Sequence, residues 1–219
     1  MKNLLVLLLL VATICCFSAC TEDRVTGSRN LITDNRIDGT PFSDITVRDA
    51  FEVTIRQGAE HAVTITADDN VLDRITTTVR NGNLLVEVNG NQNFRNVTLQ
   101  ADITTPDLTR LELNDAIRAE LVDFTTNETL TIALNDATKL EATGSAPTLE
   151  LNVNDASKLD GFGFTATECN ARVNDASRVE LRVTDRLTGS VNDASTFRYR
   201  GNPELDITAQ DASRVVDAN

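Results

Sequence analysis

Six aspartates recur in the second half of the chain at a nearly constant interval. They are Asp115, Asp136, Asp155, Asp175, Asp193 and Asp211, with spacings of 21, 19, 20, 18 and 18 residues. Carboxylate oxygens are the ligands that Ca²⁺ prefers, so a stack of these six side chains would be a candidate cation ladder. The alternative interpretations are a solvated row of charges that neighbouring basic side chains compensate, and a stripe that a partner recognises. Asp49 lies in the same Asp-Ala pair nearer the start of the chain.

Apolar residues alternate with polar ones on both sides of each aspartate. Around Asp155, for example, the apolar positions are Leu149, Leu151, Val153 and Leu159. Such alternation is typical of β-strands with one buried face. A repeat of 18–21 residues is too short for helix-pair solenoids and fits one coil of a parallel β-helix. The sequence therefore predicts an all-β fold, a β-solenoid, which is right-handed by the general preference of parallel crossovers.

The repeated Asn-Asp-Ala motif is predicted to form the corner of each coil. Asp and Asn tolerate a left-handed backbone, and a small Ala would fit the inside of a tight corner. Stacked Asn side chains would form a hydrogen-bonded ladder. The residue three positions after the Asp is basic in five of six coils. The residue five positions after the Asp is acidic in four of them. We expect a basic column between two acidic ones.

The N-terminus has the features of an export signal. Residues 1–19 contain an apolar stretch too short to span a membrane, which is typical of a secretory signal. Ser18-Ala19-Cys20 resembles a bacterial lipobox, which predicts lipidation of Cys20 and an outer-membrane lipoprotein that is surface-exposed or faces the periplasm. An ordinary signal peptide is the alternative. Residues 20–39 are predicted to form a flexible tether, and residues 40–217 the domain.

Residues 42–100 have strand character but lack the clean repeat. We expect a less regular N-terminal β part, in which antiparallel pairing caps the stack. The segment Asp69–Ile75 is predicted to form a short helical turn. At the other end, the last coil ends at Val215-Val216, and no long exposed apolar edge is expected there. The strand pairing within residues 56–105 stays open at this point.

Several segments together resemble the bacterial family called putative auto-transporter adhesin, head GIN domain. They are the alternating run from Phe42 to Gly58, the Asp68–Ile75 segment, Asn81-Gly82-x-Leu84 and Tyr199-x-Gly201-Asn202-Pro203. The resemblance extends from about Phe42 to Val216 and implies a β-helical fold in a surface or periplasmic setting. It maps no catalytic residues onto this chain. The chain departs from the family at its corners, where Asp stands in place of the usual Gly.

Composition narrows the function classes. A net charge of −13 argues against a nucleic-acid partner. We expect a non-enzymatic, lipid-anchored envelope protein, an adhesin or surface scaffold, with the membrane as one partner and a surface glycan or protein as another. The alternatives are a calcium-binding or salt-adapted structural module, and a carbohydrate-active β-helix enzyme, which an aromatic content of 4% disfavours. No cofactor is expected apart from Ca²⁺ in the first alternative, and the oligomeric state stays open.

Two single residues have simple interpretations. His61 lies in a predicted turn and is expected to be solvated. Cys169 falls on an inward position and is expected to be a buried, unreactive thiol.

Overall fold

The computed structural model describes residues 24–90 and 93–219, and these form strands almost throughout. The strands are β1 (Arg24–Thr26), β2 (Leu31–Asp38), β3 (Asp44–Val47), β4 (Glu52–Gln57), β5 (Ala62–Asp68), β6 (Ile75–Arg80), β7 (Asn83–Val88), β8 (Asn93–Arg95), β9 (Leu99–Thr105), β10 (Arg110–Leu113), β11 (Arg118–Thr125), β12 (Thr129–Leu134), β13 (Lys139–Val153), β14 (Lys158–Val173), β15 (Arg178–Val191), β16 (Thr196–Arg200), β17 (Glu204–Ala209) and β18 (Arg214–Asp217). One short helix, α1 (Asp69–Leu72), lies between β5 and β6.

Parallel ladders stack these strands coil on coil, which confirms the predicted β-solenoid. The strands that follow each Asp corner form one face, here called the post-corner face, in the order β9, β4, β11, β13, β14, β15, β16, β18. The strands that precede each corner form the pre-corner face, in the order β7, β3, β10, β12, β13, β14, β15, β17. Each of the three longest strands, β13, β14 and β15, contributes to both faces.

The inward columns form the core, as the alternation predicts. Leu113, Leu134, Val153, Val173 and Val191 occupy equivalent positions in successive coils and are fully buried. The last coil departs from this pattern, because β17 and β18 have no coil beyond them. The last coil exposes two large apolar side chains, Leu205 by 47% and Val216 by 36%, with polar residues between them. The stack therefore ends in an open edge.

Antiparallel strands close the opposite end of the stack. β5 pairs in antiparallel fashion with β2 on one side and β9 on the other, and β6 pairs in the same way with β7. This arrangement confirms the predicted antiparallel cap, and α1 confirms the predicted helical turn. The ladders also define the pairing of residues 56–105 that the sequence left open.

The interpretation of residues 20–39 as a flexible tether is wrong for the part that the structure describes. Residues 24–26 form β1, which pairs with β8, and residues 31–38 form β2, the edge strand beside β5. The carboxylate of Asp68, which is 1% exposed, accepts the backbone N–H groups of Arg29 at 2.5 Å and of Thr98 at 2.8 Å. The polar composition was typical of a linker, but backbone pairing with a sheet edge needs no apolar side chains.

The remaining N-terminal predictions lie outside the described residues. They are the signal peptide over residues 1–19 and the lipidation of Cys20. In the part of the chain that the structure covers, no helix has the length and apolar character needed to cross a membrane.

Candidate functional site

The seven Asp-Ala pairs lie at corners where both residues have a left-handed backbone. For Asp155 and Ala156 the φ angles are 56° and 59°. The Ala156 N–H donates to the backbone carbonyl of Asp175 in the next coil at 2.8 Å, and the same bond recurs from corner to corner. The Ala side chains are exposed, so the expectation that they fill the inside of the corner is wrong. The corner backbone itself links the coils and leaves each Asp side chain at the surface.

A ladder of Asn side chains runs beside these corners, as the sequence predicts. Each Asn Nδ2 donates to the Oδ1 of the Asn in the preceding coil. The bonds join Asn135 to Asn114 at 2.8 Å, Asn154 to Asn135 at 3.0 Å, Asn174 to Asn154 at 2.9 Å and Asn192 to Asn174 at 3.0 Å. Because each amide both donates and accepts, the ladder fixes the spacing and the register of neighbouring coils.

A column of buried hydroxyls two positions after the Asp was not predicted. Thr138, Ser157, Ser177 and Ser195 are at most 2% exposed. The Ser157 hydroxyl accepts the Thr138 N–H at 3.1 Å, and the Ser195 hydroxyl accepts the Ser177 N–H at 3.1 Å. The repetition of Ser or Thr at this position in the later coils was the signal in the sequence that could have indicated it.

The structure brings the corner aspartates into a single file along one edge. Desolvation raises the pKa of Asp115, the neighbouring Asp136 and Asp49 raise it further, and Arg48 partly opposes them. Asp49 differs from the others because its Oδ2 accepts the Val88 N–H at 2.8 Å. Within residues 24–90 and 93–219, no group of three or more His, Cys, Asp or Glu side chains is arranged to hold a metal ion. Calcium binding by the ladder stays a prediction.

The raised pKa of Asp115 predicts that neutralising this side chain stabilises the fold. A carboxyl whose pKa is higher in the folded state costs stability above that pKa, and the cost disappears as the pH falls through it. We expect Asp115→Asn to raise the free energy of unfolding by a few tenths of a kcal/mol at pH 7, because solvent screens an exposed charge. Asn also tolerates the left-handed backbone of this position. Urea unfolding at low and high salt measures the effect.

The matched control is Glu60→Gln, which removes one exposed negative charge from a loop away from the ladder. The stabilisation by Asp115→Asn should shrink at high salt, which screens the repulsion. It should also disappear near pH 3, about 1 unit below the usual pKa of Asp, because the carboxyl is then protonated in both the folded and the unfolded state. Repeating the unfolding with Ca²⁺ tests the alternative. If Asp115→Asn destabilises the protein only when Ca²⁺ is present, the repulsion argument is wrong and cation binding by the ladder gains support.

Paired charges cover the post-corner face. Lys139 Nζ lies 2.5 Å from Glu141 Oε1 and 3.6 Å from Asp160 Oδ2, and Lys158 Nζ lies 2.7 Å from Asp160 Oδ1. The hydrogen bond to Glu141 is the main cause that raises the pKa of Lys139. The predicted alternation of basic and acidic columns is therefore present, and the charges largely compensate one another. Exposed pairs of this kind add little stability, but they fix a charge pattern on a rigid surface.

Shallow, open depressions lie on both faces of the described part of the solenoid. The first, of about 340 Å³, lies on the post-corner face among Glu52, Arg118, Glu120, Lys139 and Glu141. The second, of about 440 Å³, lies on the pre-corner face and is lined by polar side chains. They include Glu150, Glu168, Asn170, Arg186 and Thr188. Glu150 accepts a hydrogen bond from Asn170 at 2.8 Å. Both depressions offer hydrogen-bonding groups along a flat sheet.

The two single residues lie as follows. Cys169 is 2% exposed, and burial raises the pKa of its thiol, which confirms the expected unreactive thiol. His61 is half-buried, not solvated as expected. Its ring packs 4.9 Å from that of Phe42, and its Nδ1 lies 3.3 Å from the Phe42 N and 3.2 Å from the Thr105 Oγ1. His61 joins the loop after β4 to the start of the domain.

Comparison with known families and structures agrees with this architecture. The sequence profile described as "Putative auto-transporter adhesin, head GIN domain" matches residues 41–203. Comparison with curated proteins finds no match. Among solved structures, one similar protein is a putative adhesin from Bacteroides fragilis, with 15% identity and a TM-score of 0.70 over 88% of this chain and 99% of that one.

Two structures from Parabacteroides distasonis are also similar to this chain. One is a putative adhesin with 16% identity and a TM-score of 0.51, over 90% of this chain and 100% of that one. The other is a putative lipid binding protein with 14% identity and a TM-score of 0.51, over the same shares of the two chains. At these identities, the similarity shows a shared fold.

Proposed function

Because this chain belongs to the putative auto-transporter adhesin, head GIN domain family, we propose that it is a non-enzymatic, lipid-anchored protein of the cell envelope that makes adhesive or scaffolding contacts. The family and the adhesins among its structural neighbours support an adhesin-like role. The lipid anchor and the contact surface are what the proposal adds.

The observation that carries the proposal is the regularity of the post-corner face. The first residues of β11, β13, β14 and β15, which begin at Arg118, Lys139, Lys158 and Arg178, pair without a break, so their outward side chains form straight columns. Bulges interrupt the register only farther along these strands. The backbone ladders and the Asn ladder hold these columns rigidly, so a partner meets side chains that are already in position. Long, regular faces of this kind suit extended partners.

The position of β1 gives the domain a definite orientation if Cys20 carries the lipid. Only three residues, Thr21 to Asp23, separate Cys20 from Arg24 at the start of β1. A fully extended chain covers at most about 14 Å over that distance. β1 pairs with β8, and β2 forms the edge beside β5, so the capped end of the stack would lie against the bilayer. The later coils and the open edge would then point away from the membrane.

Surface labelling of intact cells tests the proposal. The sequence contains only the lysines Lys2, Lys139 and Lys158, and the last two side chains are 42% and 38% exposed. A membrane-impermeant amine reagent is expected to modify Lys139 and Lys158 in intact cells, as detected by mass spectrometry. The matched control is Lys139→Arg/Lys158→Arg, which keeps both charges and removes both reactive amines. The variant Cys20→Ser should be lost from the membrane fraction.

The two parts of the proposal fail separately in this experiment. Labelling that requires permeabilised cells, in step with a periplasmic marker, would overturn contact outside the cell and leave a periplasmic scaffold. Retention of Cys20→Ser in the membrane fraction would overturn the lipid anchor.

A further inference from the structure

Two arginines lie over an aromatic ring near the open end of the post-corner face, and a third arginine is their neighbour on the adjacent strand. Phe162 lies in a bulge of β14, because the register with β15 passes from Gly161↔Leu181 to Thr165↔Arg182. The guanidinium carbon of Arg200 lies 4.2 Å from the centre of the Phe162 ring, and that of Arg198 lies 5.7 Å from it. We call Phe162, Arg182, Arg198 and Arg200 the basic-aromatic patch.

Positive charge in this patch is only partly compensated. Glu180, which lies on the same strand as Arg182, forms an ion pair with Arg198. Arg200 donates from Nε to the Ala218 carbonyl at 3.3 Å but forms no ion pair with a described carboxylate. The Arg182 side chain is exposed and forms no hydrogen bond or ion pair with any described residue. Arg182 and Arg200 are therefore the two guanidinium groups of the patch that have no carboxylate partner, in a chain whose net charge is −13.

The register between β15 and β16 places two of these arginines side by side. Arg182 and Arg200 are direct neighbours on β15 and β16, so their side chains leave the same face one strand spacing apart. Like charges in directly opposed positions are unfavourable, at about 4.8 Å between strands. A bound anion between the two guanidinium groups would offset the repulsion. Planar guanidinium groups match carboxylate and sulfate oxygens in a two-pronged geometry.

The Phe162 ring indicates that the ligand also has an apolar surface. Its ring is half-buried beside the arginines and not packed into the core, unlike Phe164, which is 1% exposed. The part of the ring that stays exposed offers an apolar surface against which the C–H face of a sugar can rest. The ring and the arginines lie on adjacent coils of a flat sheet, so an extended chain can contact them together.

We propose that the basic-aromatic patch binds an anionic polysaccharide, a sugar chain that carries carboxylates or sulfates. Arg182 and Arg200 hold the acidic groups, Arg198 stays paired with Glu180 and orients Arg200 against the ring, and Phe162 supports a sugar ring. Acidic residues on distant coils are screened from the patch, because at physiological salt charges act over about 8 Å. The inference rests on the proposed function only for the location of its ligand.

The test measures binding by the full-length protein in neutral detergent micelles, so its outcome is independent of cellular location. The probes are a polyuronate and chondroitin sulfate, with neutral dextran and polyglutamate as comparisons. Titration calorimetry gives Kd, and fluorescence of Tyr199, the only tyrosine in a chain without Trp, reports on binding beside the patch. We expect at least one anionic polysaccharide to bind, less tightly as salt rises, and dextran not to bind. The stronger of the two anionic probes distinguishes a carboxylated ligand from a sulfated one.

The variant Arg182→Gln/Arg200→Gln should raise Kd by about tenfold or more. Phe162→Leu, which keeps an apolar side chain but removes the ring, should raise it by about threefold. The matched control is Arg74→Gln/Arg80→Gln, which removes the same charge from exposed positions near the capped end and should change Kd by less than about twofold. Thermal unfolding checks that all variants fold. Equal losses in both double variants, equal binding of polyglutamate, or no binding of either anionic polysaccharide would each overturn the proposal.

Discussion

Replacing Gly189 with Ala should lower the free energy of unfolding by roughly 3–5 kcal/mol. Gly189 has a φ of 121°, and a Cβ at this position would lie 1.9 Å from the carbonyl oxygen of Ala171 in the preceding coil. The clash is with backbone, so no side-chain rotation relieves it. β14 and β15 would have to separate where Ala171 and Gly189 are paired. Thermal unfolding followed by circular dichroism should show a loss of about 10 °C.

Gly82→Ala is the matched control for backbone conformation. Gly82 also has a positive φ, 78°, but a Cβ there would meet no atom within 4 Å. Its replacement should therefore cost only the strain of a left-handed Ala, about 1 kcal/mol. The difference between the two variants isolates the close approach of the coils. Equal losses of stability would contradict it.

The loss at Gly189 should also be localised. In a solenoid each coil contacts mainly its neighbours. Separation of β14 from β15 should therefore lower the stability of the coils that follow β15 more than that of the others. Limited proteolysis of Gly189→Ala should first cut the chain after residue 191, within the last two coils, and leave a resistant N-terminal fragment. Uniform cleavage along the chain would instead indicate that the solenoid unfolds as one unit.

Gly189 illustrates which features the sequence can predict. The alternation around each Asp predicts the buried columns, because a side chain in a strand points inward or outward by parity alone. The close approach at Gly189 arises where two specific coils meet, and no local pattern specifies it. The bulge that turns Phe162 outward has the same origin, since it depends on the register between β14 and β15.

The N-terminal strands and parts of the candidate site also depend on contacts between strands that no local sequence pattern specifies. Residues 31–38 contain polar residues typical of a linker, yet β2 forms because β5 presents an unpaired edge. The corner aspartates were found by their spacing, which is a repeat property. The pairing of Arg198 with Glu180, which leaves Arg182 and Arg200 uncompensated, becomes visible only when two neighbouring coils are seen together.

Asn154→Ala should have the second largest effect, a loss of about 2–3 kcal/mol. Asn154 lies in the middle of the Asn ladder, where its Nδ2 donates to Asn135 at 3.0 Å and its Oδ1 accepts from Asn174 at 2.9 Å. Removing the amide breaks both bonds and leaves a half-buried acceptor on one side and a half-buried donor on the other. Unpaired polar groups cost more than the lost bonds alone suggest. Urea unfolding measures the effect.

The chain offers a close control in Asn152, two residues earlier. Asn152 is also half-buried, but it points outward from β13, and the structure gives its side chain no hydrogen bond within the described residues. Asn152→Ala should change the free energy of unfolding by less than about 0.5 kcal/mol. A loss as large as that of Asn154→Ala would mean that any Asn near the corner matters, and the ladder would not be the cause.

A double-mutant cycle decides whether the ladder acts as a connected network. Asn135 and Asn154 share one bond, so removing both side chains should cost about 0.5–1.5 kcal/mol less than the sum of the two single changes. Asn114 and Asn192 share no bond with each other, and their double variant should be additive. Since this ladder and the corner bonds hold the outward columns in register, a non-additive result would also show that the rigidity of the proposed contact face originates at the corners. Strict additivity for Asn135 and Asn154 would contradict that connection.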